Sequence, residues 1–204
     1  MAEFILIQLG QDYVDGRALN NIDLNIIMSF DFTQNYFELF NIKAVFSVDA
    51  HSITERYRQL QRELHPDRYA DKSQQEQRMA VQATSHVNMA YETLKSPLKL
   101  AIYMLSLQGI DLKSETDTRM NGLFLMKQME WRESLDEVSD QDDPWEKLDA
   151  LSDEVSAEKK ANLQCLNTQL NQSQWDEARN TVRELQFIEK MQSEIGLKEE
   201  ALDD

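Results

Sequence analysis

The chain is poor in the residues that punctuate β-rich folds: 204 positions hold only five Gly and three Pro. That supply is too small for the many turns of a sandwich or barrel, and it leaves no Gly-rich loop to cradle a phosphate. A lone cysteine, Cys165, excludes an internal disulfide and a Cys-rich zinc site, and fits a reducing compartment. Long apolar runs are missing as well. The N-terminal cluster Phe4 to Ile7 falls far short of the roughly 20 residues of a membrane span, and nothing basic precedes it as in a signal peptide. The expected location is the cytoplasm. Positive charge is equally scarce: 21 Lys and Arg against 37 Asp and Glu give a net charge of −16, which argues against nucleic acid as a partner.

What is present is helical. Apolar residues make up 41% of the chain, enough to bury a core, and they recur with helical spacing, which predicts an all-α protein. Residues 1–27 show no sustained period and receive no assignment. A better-patterned sequence opens at Met28, so this stretch is expected to be a dispensable extension. Tyr36, Phe37, Leu39 and Phe40 crowd the apolar positions of a short helix within Asn35 to Ile42. Ser52-Ile53-Thr54-Glu55 reads as a capping box. Behind it Ile53, Tyr57, Leu60 and Leu64 share one helical face, until Pro66 ends the helix. Asp67 to Gln77 is polar and reads as a loop. A long helix then carries Ala83, Val87, Ala90, Tyr91 and Leu94, and Pro97 opens a further helix that runs to Gly109.

A polar linker at 111–118 separates this unit, 28–110, from a second one at 119–204. There three helices are expected: Leu123 to Val138, Trp145 to Leu170, and one capped by Ser173 that carries Trp175, Ala178, Val182, Leu185 and Ile188. The two units differ in charge. From residue 115 onward 23 Asp and Glu face 10 Lys and Arg, a net of −13, while the preceding residues carry a net of −3. An acidic half is ordinarily a solvated surface, and a docking face for a basic partner is the alternative.

The motif that carries information is His65-Pro66-Asp67. It follows an amphipathic helix bearing Arg56, Arg58 and Arg62, is followed by Arg68, and precedes a helix containing Ala90-Tyr91-Glu92-Thr93-Leu94. Pro66 lacks an N–H and fixes φ, so the loop can hold His65 and Asp67 in a defined relation amid local positive charge. That is a contact surface. His51 and His86 have no spacing that brings them to His65, so no metal site, nucleophile–base pair or catalytic residue is indicated. This constellation, over residues 34–105, resembles the J domain, by which DnaJ-type co-chaperones stimulate ATP hydrolysis by a DnaK-type chaperone. The resemblance implies chaperone contacts at His65, Pro66, Asp67, Arg56, Arg58, Arg62 and Arg68.

In the acidic half, Phe124, Trp131, Leu135 and Val138 lie within about 60° of one another at 100° per residue, a buried stripe. Leu125, Met126 and Met129 point away from it, beside Glu130, Glu133 and Glu137. They either pack under another element or await a partner; Phe187 on the last helix, off the main apolar direction, poses the same choice. Phe124 to Glu130, Arg132 to Glu137 and Thr181 to Phe187 are similar to the HscB family, the J-type co-chaperones of bacterial iron-sulfur cluster assembly, and that resemblance extends over about 34–200. It implies an L-shaped molecule whose J domain engages the DnaK-type chaperone HscA. A C-terminal three-helix domain would bind the scaffold protein IscU through Leu125, Met126, Met129, Glu130, Glu133, Glu137 and Phe187. No cofactor and no metal are implied. A J protein with another client, or an acidic helical scaffold, are the alternatives.

Overall fold

The computed structural model describes residues 13–14, 17–18, 27–112, 121–140 and 142–203. The cluster Phe4 to Ile7 and most of the expected linker, 113–118, lie outside them. The all-α expectation meets one exception, a two-residue ladder in which β1 (Tyr13–Val14) pairs antiparallel with β2 (Arg17–Ala18). Every other described element is helical: α1 (Tyr36–Leu39), α2 (Ala50–Leu64), α3 (Gln74–Leu94), α4 (Pro97–Leu107), α5 (Gly122–Asp136), α6 (Pro144–Asn171) and α7 (Trp175–Asp203).

The first half is an antiparallel pair, α2 on α3. Ile53, Leu60 and Leu64 of α2 are buried, as are Ala80, Ala83, Val87, Ala90 and Leu94 of α3. Alanine at three of these positions lets the helices approach closely, and Tyr57 stacks on Tyr91 with ring centroids 4.0 Å apart. The short α1 is latched to α4: the Tyr36 backbone N–H donates to the Tyr103 hydroxyl at 2.8 Å, and the two rings stack at 4.3 Å.

Several ends differ from the sequence expectation. Helix α2 starts earlier than the expected Ser52–Glu55 box, because Asp49 is the N-cap and accepts the N–H groups of His51 and Ser52. The Asp49 carboxylate, three positions earlier, does the capping, and the Ser52 hydroxyl donates to it. The capping boxes are instead Asn35 with Glu38 and Ser73 with Glu76. The latter starts α3 inside the stretch expected to be loop, and the start of that stretch is taken up by a 3-10 turn, Pro66–Tyr69, with Tyr69 fully buried. Ser173 is not an N-cap. It takes φ 56° at the end of α6, where the Gln174 N–H reaches back to the Gln169 carbonyl at 2.9 Å, and Gln174 opens α7 by accepting from the Ala178 N–H. Ile27, placed in the dispensable extension, is fully buried, so any dispensable segment ends before it.

In the second half α6 and α7 form a long antiparallel pair, and α5 lies against them through Phe124, Trp131 and Leu135, with Val138 buried just beyond. The halves touch directly. Helix α4 packs on α7, the Ser47 hydroxyl donates to the Asn167 side-chain oxygen at 3.0 Å, and one cleft is lined by Phe37, Val45 and Leu107 from one half and Leu170 and Trp175 from the other.

Candidate interaction surfaces

The end of α2 builds the first surface. A helix terminus leaves its last carbonyls without partners, and here the following loop and α3 supply them. The Arg68 guanidinium donates to the Arg62 carbonyl at 3.1 Å, the Tyr69 hydroxyl to the Glu63 carbonyl at 3.2 Å, and the Thr84 hydroxyl of α3 to the Leu64 carbonyl at 2.9 Å. Three donors thus fold the loop back onto α2 and seat it on α3. His65, at φ −58° and ψ 128°, turns the chain out of the helix as the residue before a proline must. Its Nδ1 accepts the Asp67 N–H at 3.3 Å and lies 3.7 Å from the Asp67 carboxylate. Both side chains remain open to solvent, His65 at 51% and Asp67 at 91%.

The arginines do not form one cluster. At 100° per residue Arg58 and Arg62 fall within about 40° of each other on the α2 face opposite the buried stripe, while Arg56 lies about 120° or more from both. Arg56 is half-buried at the flank, and Arg58 is paired with Glu55 at 3.3 Å. Arg62 and Arg68 are exposed beside the loop. Tyr69 and Thr84, which fix the loop, escaped sequence reading. An aromatic inside a polar stretch was a usable signal for Tyr69; nothing marks Thr84.

The second surface lies on α5. Leu125, Met126 and Met129 are 42%, 60% and 73% exposed, so nothing described packs over them. Phe187 is half-buried, edge-on to Phe124 at 6.0 Å and nearly parallel to Trp131 at 6.5 Å. A shallow groove of about 620 Å³ brings together Met129, Glu133, Glu137 and Phe187, and adds Gln128, Arg132 and Asp136, which the sequence did not single out. Leu125, Met126 and Glu130 lie outside the groove on the exposed part of the same helix. Arg132 is paired with Glu194 of α7 at 3.3 Å, so the groove's charge is set by its carboxylates. The Gln128 side-chain nitrogen is buried without a hydrogen-bond partner among the described residues, a donor left at the groove wall.

Behind the groove, Lys127 bonds Glu158 at 2.7 Å. Burial first, and the Glu158 charge second, hold the Glu184 carboxyl above the usual range, with Lys127 pulling it back. On the first half, burial holds His86 below the usual histidine range; its ring is ringed edge-on by Phe30, Phe32 and Tyr36 at 6.0, 5.8 and 5.6 Å. Among the described residues no three His, Cys, Asp or Glu side chains gather as a metal site would need, and no helix is long and apolar enough to cross a membrane.

Comparison with known proteins divides along the same lines. The DnaJ domain family model matches residues 35–103, and that of the HSCB C-terminal oligomerisation domain matches 120–196. The co-chaperone protein HscB homolog of Shewanella loihica is 45% identical over 171 residues, covering 82% of this chain and 99% of its own. The homolog from Pseudoalteromonas atlantica is 44% identical over 173 residues, covering 83% and 99%. Among solved structures, chaperone HscB from Vibrio cholerae shares 40% identity with a TM-score of 0.75, covering 83% of this chain and 99% of that one. Human co-chaperone protein HscB shares 30% with a TM-score of 0.77, covering 83% and 84%.

Proposed function

From the premise that this chain belongs to the HscB family of J-type co-chaperones, we propose that it serves iron-sulfur cluster assembly by joining two proteins: HscA, the DnaK-type chaperone, and IscU, the cluster scaffold. In this reading residues 28–110 are the J domain, 111–118 the linker and 119–204 the scaffold-binding domain, and the protein acts in the cytoplasm. It has no chemistry of its own. ATP hydrolysis takes place in the chaperone's nucleotide site, and His65, Pro66 and Asp67, flanked by Arg58, Arg62 and Arg68, trigger it by contact. Arg56 supports α2 from its flank. The carrying observation is the loop after α2, tied down by Arg68, Tyr69 and Thr84 yet presenting the His65 and Asp67 side chains to solvent. A pre-ordered loop meets a partner without a large ordering cost.

The scaffold is met by Leu125, Met126, Met129 and Phe187, with Glu130, Glu133 and Glu137 favouring a basic partner. Adaptable Met side chains within a carboxylate rim suit that task. His65→Gln is expected to abolish stimulation of the chaperone ATPase while leaving the circular dichroism and melting curve unchanged. Full stimulation by a folded variant would defeat the contact-loop assignment. Leu125→Ala with Met126→Ala should cut scaffold binding at least tenfold, since a few apolar anchors carry most interface energy. Each change should cost no more than about 0.5 kcal/mol of stability, because both side chains already face solvent.

A further inference from the structure

Trp131 is the largest fully buried side chain of the second half, and its surroundings are unusually specific. An indole N–H removed from water needs an acceptor, and Trp131 Nε1 donates at 2.8 Å to the Glu154 carboxylate, which α6 presents from its exposed surface. The Lys127 ammonium sits 5.9 Å from the indole ring and is itself held by Glu158. The indole lies nearly parallel to Phe187, 15° between the planes, while Phe124 stands edge-on to both rings at 89° and 86°. Phe187 in turn borders the groove. A hydrogen bond at the surface of α6 therefore fixes the rotation of a buried ring, and that ring is the back wall of the half-buried phenyl group beside the groove.

We propose that Trp131, oriented by Glu154, is a positioning residue for partner binding: it sets the tilt of Phe187 and hence the apolar edge of the groove. This rests on the reading of the α5 face as the scaffold surface. Without the Glu154 acceptor, the indole either keeps a buried N–H unsatisfied or turns to find water. In the second case Phe187 loses its parallel neighbour and settles into other rotamers, and the partner then selects from a mixture instead of meeting one preset ring. No contact between Glu154 or Trp131 and the partner is required.

The test is a double-mutant cycle read by titration calorimetry of the purified full chain with purified scaffold protein. Glu154→Ala is expected to weaken binding about fivefold, Glu154→Gln, which keeps an acceptor oxygen, to restore it, and Glu154→Ala to have no further effect once Phe187→Ala is present. Trp131→Phe keeps a ring and removes the donor. It should weaken binding to a similar extent and make residue 154 irrelevant, and it decides the matter alone if Glu154→Ala fails to fold. Parent-like binding by both Glu154→Ala and Trp131→Phe overturns the proposal, as does an equal loss from Glu154→Ala with and without Phe187. Parent-like binding by Phe187→Ala and by the Leu125 and Met126 variants together would defeat the surface itself, and the proposal with it.

Discussion

Among the described residues, three end helices in the left-handed region: Asn41 at φ 51°, Gly109 at φ 75° and Ser173 at φ 56°. Each lets the chain fold back so that a later N–H reaches an earlier carbonyl, as Ile110 does to Leu105 at 3.1 Å. Glycine has no Cβ to clash there and asparagine tolerates the region, but serine carries the penalty without an evident return. Ser173→Gly should stabilise the chain by about 1 kcal/mol, seen as a higher midpoint in urea with an unchanged slope. Asp49 and Glu76 show the same economy at helix starts. Hydrogen bonds from the Ser52 and Ser73 hydroxyl and N–H groups hold their carboxyls below the usual range. Their contribution is present above the ordinary carboxylate value and is lost as acid protonates them.

The helices themselves were largely legible. The stripes Ile53–Leu60–Leu64, Ala83–Val87–Ala90–Leu94 and Phe124–Trp131–Leu135 are buried, because a helix facing one core must repeat its apolar residues at that period. Which capping residue wins was not legible, since Asp49 and Ser52 both satisfy local chemistry and only packing fixes where α2 begins. Nor could spacing reveal the groove. Phe187 meets Trp131 only because α5 lies across α7, and sequence distance carries no trace of that crossing. The same crossing brings Lys127, Glu158 and Glu184 together from three helices. Because burial raises the Glu184 value in the folded state, its contribution to stability is complete below the ordinary value of 4.5 and is lost as pH rises through the raised one. Glu184→Gln should therefore melt with the parent in acid and above it near neutrality, a divergence that paired thermal scans across pH 4 to 8 would display.

At the scale of the molecule, the buried apolar side chains of the described residues form one cluster that includes both halves and reaches back to Ile27. Ile27→Ala should cost about 2 to 4 kcal/mol in thermal or urea unfolding, and a chain beginning at Met28 should lose a similar amount. Parent-like stability of both would put Ile27 outside the cooperative core. If the acidic half docks a basic partner as proposed, the charge imbalance should make association faster at low ionic strength than at high. Helix α4 is seated on α7, and Ser47 is tied to Asn167 at 3.0 Å. The path from the His65 loop to the Phe187 groove therefore runs through packed helices as well as through the connecting segment. A flexible tether raises the local concentration of one ligand around another but samples every orientation. A braced frame fixes the angle as well. If the two surfaces act as proposed, the molecule works as a jig, presenting a cargo to a motor in one pose on each encounter.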